Sequence, residues 1–186
     1  MHFNTMFDKR KFYTFIGLDV LFGGYHHDFV HNHKLYFDPY KGLFEPIAWD
    51  LRYWSGGGNK DVGNYLLLEK IKLNPILEYE RDLVAYELYK ANPPSKIENR
   101  LNHASSLEVL DLEADQYRDN GGKPVLLMKP FAVPFTMNFY NKSIDGLKKR
   151  YLERYEYLGD MFENVTVEYD IEQLDSEEKF TFFIGG

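Results

Sequence analysis

The sequence predicts an α+β fold, mostly helical, with one small β-hairpin in the first third and a possible β extension at the C-terminal end. Three observations carry this. Apolar residues recur at mixed three- and four-residue spacing over much of the chain, the period of a buried helix face. Two short aromatic and β-branched runs flank Asp38-Pro39-Tyr40-Lys41-Gly42, where proline fixes φ and glycine permits a positive φ. Residues 165–169 alternate apolar and polar side chains, as a strand with one covered face does, and the aromatic-rich run 180–184 reads as its hairpin partner. The 186 residues, 44% of them hydrophobic and 17% aromatic, suffice for the core of one domain.

Taken in order, Phe7, Phe12, Phe15, Ile16, Asp19, Val20 and Phe22 predict a largely buried helix over about 8–22, ended by Gly23-Gly24. Residues 25–32 carry three histidines, an aspartate and an asparagine, a composition that reads as a loop. The hairpin strands follow at 33–37 and 44–49, and Ser55-Gly56-Gly57-Gly58-Asn59 predicts a flexible loop. Two helices are expected over 64–90, with Leu67, Ile71, Leu77, Leu83, Val84 and Leu88 inward and Pro75 opening the second. Pro93-Pro94 breaks the chain before a helix over 95–118 with Leu107, Leu110 and Leu112 inward, and Asn120 to Pro124 makes a turn. Residues 125–140 read as extended or edge strand because of Pro130 and Pro134. The stretch 143–162 reads as an amphipathic helix capped by Ser143. Its predicted core face is Ile144, Leu147, Tyr151, Leu152, Tyr155 and Leu158, with Lys148, Lys149, Arg150 and Arg154 toward water. A terminal hairpin turns at Asp175-Ser176.

A formal charge of −7 argues against a nucleic-acid partner, since phosphate binders cluster Lys and Arg. Without cysteine there is neither a disulfide framework nor thiolate chemistry. No apolar run approaches the roughly 20 residues a spanning helix needs, and the first residues lack a basic and then apolar leader, so no membrane span and no signal peptide are expected.

The feature with chemical content is an order of parts: helix, polar loop with Asp28 and Asn32, hairpin, then Asp50 directly after the second strand. Phosphoryl transfer asks little covalent work of a protein. It needs one carboxylate to orient and deprotonate the attacking hydroxyl, and oxygen donors to hold Mg²⁺ against the phosphates. A loop aspartate four residues before an asparagine, with a second aspartate returned by a hairpin, could supply both. Asp and Asn at such positions also serve as loop caps, which leaves a structural role open.

The stretch Asp28-Phe29-Val30-His31-Asn32-His33-Lys34-Leu35-Tyr36, followed by Gly42-Leu43-Phe44-Glu45-Pro46-Ile47-Ala48-Trp49-Asp50, resembles the signature of the CotH kinase family of spore coats. Leu68 to Pro75 and the helix from Ile144 to Leu158 are similar to that family's C-terminal helices, so the resemblance spans most of residues 8–162. It implies a protein-kinase-like C-lobe over residues 1–163, with 164–186 a β-rich tail or the start of a further domain. It also implies transfer from ATP, with Mg²⁺ or another divalent cation, to a protein Ser or Thr hydroxyl, in a spore-coat, secreted or cell-surface setting. By position, the resemblance makes Asp28 the catalytic carboxylate, Asp50 the metal-binding aspartate and Asn32 a second metal ligand. The family's nucleotide-binding N-lobe, with its phosphate-contacting lysine, would precede residue 8, so the chain corresponds to a C-terminal portion. Where the family often carries a further acidic residue two positions after the aspartate, this chain has Arg52.

Two other readings stay open. The same fold could serve as a catalytically inactive spore-coat, structural or binding fragment. Alternatively, the histidines of the 26–33 cluster could hold Zn²⁺ or Mn²⁺ in a hydrolase, His27 and His31 standing four apart around Asp28. The fifteen tyrosines and two tryptophans read as packing residues, and Lys148-Lys149-Arg150 as a solvated helix face.

Overall fold

The computed structural model describes residues 3–24, 27, 33–49, 66–114, 136–164, 166–174 and 177–185. Its elements run α1 (Phe3–Met6), α2 (Lys9–Phe22), β1 (Lys34–Asp38), β2 (Leu43–Ile47), α3 (Leu66–Lys72), α4 (Pro75–Ala91), α5 (Pro94–Ala114), α6 (Met137–Glu163), β3 (Thr166–Leu174) and β4 (Glu177–Gly185). Among the described residues the architecture is α+β and mostly helical, with two separate two-stranded antiparallel sheets. The expected turn at 120–124, the extended stretch at 125–135 and the terminal turn Asp175-Ser176 lie outside the described residues.

Helix α2 is the centre. Asp8 caps it by accepting from the Lys11 N–H at 3.1 Å, which satisfies one of the amides a helix start leaves unpaired. Gly23 ends it in the left-handed region at φ 63°, where a side chain would be strained. Between these caps the helix buries Phe12, Phe15, Ile16, Val20 and Leu21, each worth roughly 2 kcal/mol of apolar transfer. Helix α4 packs alongside, opened by Asn74, whose side chain accepts from the Ile76 and Leu77 amides, with Pro75 in the first turn. Glu80 of α4 accepts from Lys9 Nζ at 2.8 Å and Tyr13 Oη at 3.1 Å, and so joins the two helices.

Helix α6 closes the other side through Tyr151, Arg154 and Leu158, which fall on one stripe at i, i+3 and i+7. Arg154 was expected to face water, but it is 0% exposed. Its Nε donates to the Val20 carbonyl of α2 at 2.8 Å, and its guanidinium lies 5.2 Å from the Tyr157 ring centroid. A cation at the end of a helix satisfies an orphan carbonyl and complements the dipole.

Other boundaries and faces differ from expectation. Helix α6 starts at Met137, so residues 137–140 are helical rather than extended. Thr136 caps it by accepting from the Phe139 N–H at 3.1 Å. Ser143, expected as the cap, donates instead to the Phe139 carbonyl one turn back. Leu83, Leu107, Leu110 and Leu152, expected inward, are exposed. On α4 the buried face is set by Arg81, Val84, Ala85 and Tyr89, which leaves Leu83 on the opposite side.

The two kinds of leucine should separate in unfolding experiments. Leu158→Ala, at a fully buried position, should lower stability by about 3 kcal/mol. Leu110→Ala, at a position 72% exposed, should change it by less than about 0.5 kcal/mol. Urea midpoints of the two variants check this, and equal losses would contradict the packing described.

Candidate functional site

The hairpin sets the site's geometry. Strands β1 and β2 pair antiparallel with Lys34 opposite Ile47 and Asp38 opposite Leu43. The Asp38 carboxylate accepts from the Tyr40 and Lys41 amides, and Gly42 takes φ 66°, which closes the turn. At the open end, the chain arriving before Lys34 and the chain leaving after Ile47 are therefore neighbours.

Three groups of contacts fix the hairpin on the helical body. Asp8 N–H donates to the Phe44 carbonyl at 2.9 Å, and the Phe44 ring lies 6.0 Å from that of Phe7. Glu45 of β2 is held by Lys11 of α2 and by Lys41 of the turn, the latter at 2.8 Å. Lys41 also reaches Asp8 at 3.2 Å. Beyond the strand, Lys34 Nζ sits 4.3 Å from the Trp49 ring centroid, so β1 holds the segment that leaves β2.

Beneath the hairpin's open end is a buried polar bridge. His27 is 1% exposed, and its Nδ1 lies 2.8 and 2.7 Å from the two carboxylate oxygens of Asp19. Its Nε2 donates to the Trp49 carbonyl at 2.7 Å. Phe15 packs on the imidazole with ring centroids 4.6 Å apart. The local sequence explains the fold-back. Gly23 turns the chain out of α2, and Gly24 donates to the Asp19 carbonyl at 3.0 Å. A Cβ at Gly24 would stand 3.1 Å from Asp19 Oδ1, tight against the acceptor of the bridge.

The electrostatics follow from burial. Desolvation pushes the Asp19 carboxyl above its ordinary value, while the hydrogen bond and charge of His27 act in the opposite sense. His33 is held below the ordinary histidine value of 6.5, first by burial and then by the charge of His27. Glu45 is held below 4.5 by its hydrogen bonds to Lys11 and Lys41.

Asp28, Asn32 and Asp50 lie outside the described residues, as do His26, His31, Arg52 and the loop Ser55–Asn59. What is described are their chain neighbours: His27 precedes Asp28, His33 follows Asn32, and Trp49 precedes Asp50. The bridge joins the first and third of these. It also bears on the proposed transition-metal cluster, because His27 has one nitrogen on a carboxylate and the other on a carbonyl, which leaves no free lone pair for a metal in this arrangement. Among the described residues, no group of three His, Asp or Glu side chains could hold a metal ion.

Sequence reasoning passed over Asp19 and the Trp49 carbonyl. A signal for Asp19 existed, since a carboxylate on the apolar stripe of a buried helix needs a partner. A backbone carbonyl has no sequence signal.

A cavity of about 630 Å³ lies between α1, β1 and α3, lined by Phe3, Phe7, Leu35, Leu67 and Ile71, with Lys70 and Asn74 among its polar groups. Its described walls carry no carboxylate, and His33, Lys70 and Asn74 are its polar side chains. Among the described residues no helix is long and apolar enough to cross a membrane.

The chain matches no family model, no curated protein and no solved structure.

The anchoring of the hairpin should show in acid. A carboxylate with a depressed folded-state pKa contributes stability that is present above its unfolded value and lost as pH falls through the folded one. Glu45 should therefore contribute fully above about pH 4.5 and progressively less below it. Glu45→Gln should flatten that part of the stability profile, read by urea unfolding between pH 3 and pH 6. A variant that tracks the parent through this range would contradict the anchoring role.

Proposed function

We propose that residues 1–163 are the C-lobe of a protein-kinase-like phosphotransferase resembling the CotH family, with 164–186 a separate β-rich tail, and that it moves a phosphoryl group from ATP to a protein Ser or Thr hydroxyl. The observation that carries this reading is the hairpin register. Lys34 stands opposite Ile47, so the strand ends nearest Asn32 and Asp50 in sequence are neighbours, and the His27 contact to Trp49 joins the residues that precede Asp28 and Asp50.

Each residue then has a task. Asp28 orients the acceptor hydroxyl and takes its proton. Asp50 and Asn32 offer carboxylate and amide oxygens, a hard donor set that fits Mg²⁺, which when bound would neutralise charge on the transferring phosphates. Arg52, two residues after Asp50, would either contact phosphate or oppose metal binding. An N-lobe contributing the phosphate-contacting lysine would complete the nucleotide site.

Incubation with γ-labelled ATP, Mg²⁺ and a generic Ser/Thr protein acceptor tests the reading. Asp28→Asn should lower transfer by about 100-fold or more, while Asp50→Asn should also abolish Mg²⁺-dependent nucleotide binding in calorimetry. Transfer indifferent to both substitutions would sink the assignment, and a folded chain that neither binds nor uses ATP would favour the inactive fragment.

A further inference from the structure

We infer that His27, seated on Asp19, is a positioning residue that clamps the Trp49 carbonyl and so ties the residue before Asp28 to the residue before Asp50. The inference rests on the proposed phosphotransfer for its functional half, while its structural half stands on geometry alone.

The argument begins with donors and acceptors. A neutral imidazole has one N–H and one lone pair. Here Nε2 lies 2.7 Å from a carbonyl oxygen, which only accepts, so Nε2 carries a proton. Nδ1 lies 2.7 Å from a carboxylate, so a second proton is shared along the Asp19–His27 contact. The bridge is complete with both protons held, and Asp19 is the group that keeps the second one there.

Burial makes the contact consequential. Asp19 is 2% exposed, so neither residue can exchange its partner for water. A buried ion pair of this kind adds little net stability over an apolar replacement. Its effect is directional: two hydrogen bonds at opposite ends of one flat ring define a line from α2 to the residue before Asp50. Phe15, its ring centroid 4.6 Å from that of the imidazole and tilted 45° to it, limits the ring's rotation. His27 is itself the residue before Asp28, so movement of either segment breaks a hydrogen bond that has no solvent substitute. In a phosphotransfer site a misplacement of about 1 Å can cost on the order of 100-fold in rate.

The test compares three chains. Asp19→Ala/His27→Phe removes both polar groups together, keeps a ring on Phe15 and leaves no unpaired buried charge, so the core should stay folded by circular dichroism. Asp19→Asn keeps the bridge, with its amide donating to Nδ1 and Nε2–H still donating to the Trp49 carbonyl. Backbone ¹⁵N relaxation at Trp49 reports the clamp directly. The order parameter should fall from the rigid level of about 0.85 to below about 0.6 in the double variant and stay near the parent value in Asp19→Asn. Labelled-ATP turnover should fall about 100-fold in the double variant.

An unchanged order parameter in the folded double variant overturns the clamp, and loss of order with turnover intact overturns its role in positioning. A parent chain with no turnover overturns the phosphotransfer reading alone, because the relaxation measurement still decides the clamp.

Discussion

A buried imidazole has to find a partner for each ring nitrogen, and the way His27 meets that requirement organises the first fifty residues of this protein. One partner is Asp19, one turn before the end of α2, and the other is the Trp49 carbonyl, just past β2. The requirement reaches backward into local structure. For His27 to fold under α2, the helix has to stop at Phe22 and the chain has to reverse at once, which Gly23 allows by adopting φ 63°. It reaches forward as well, since the carbonyl that accepts from Nε2 has to be delivered by a hairpin of fixed register. Length, turn and cap are in this sense one constraint.

The helical body supplies the stiffness that makes such a contact meaningful. Helices α2 and α4 are joined by the Lys9–Glu80–Tyr13 contacts and by apolar burial. Arg154 of α6 reaches across to the Val20 carbonyl, next to Asp19 on the same turn. The last turn of α2 is thus gripped from two sides by a buried arginine and a buried histidine. Polar side chains this deep are expensive to desolvate, and each places one nitrogen against an oxygen of α2, so the end of that helix is held from both sides.

How much of this was legible in the sequence depends on the kind of signal. Local signals were reliable where the chemistry is local. Gly23 ends α2, Asp38 to Gly42 turn the first hairpin, Asn74-Pro75 open α4, and the pattern of the tail corresponds to β3 and β4. Hydrophobicity alone failed on the longer helices, because an apolar side chain does not say which face it is on. Leu83, Leu107 and Leu110 are exposed, whereas Arg81 and Arg154 are buried. The arginines could have been found by spacing, since Arg154 shares a stripe with Tyr151 and Leu158. For the site, the order of Asp28, the hairpin and Asp50 was readable, and the hairpin between them has the expected form. The bridge was not readable as a whole, because one of its three members is a main-chain carbonyl with no sequence signal, although Asp19, a carboxylate on the apolar stripe of a helix predicted to be buried, did carry one.

The central claim is that Nε2 of His27 donates to the Trp49 carbonyl while Nδ1 is seated on Asp19. Nitrogen-15 NMR of the histidine-labelled chain at neutral pH measures this most directly. The account predicts that His27 shows a protonated Nε2, with a slowly exchanging proton and a through-bond coupling from Nε2–H to the Trp49 carbonyl carbon. A His27 ring with a single proton and an unprotonated Nε2 would contradict it.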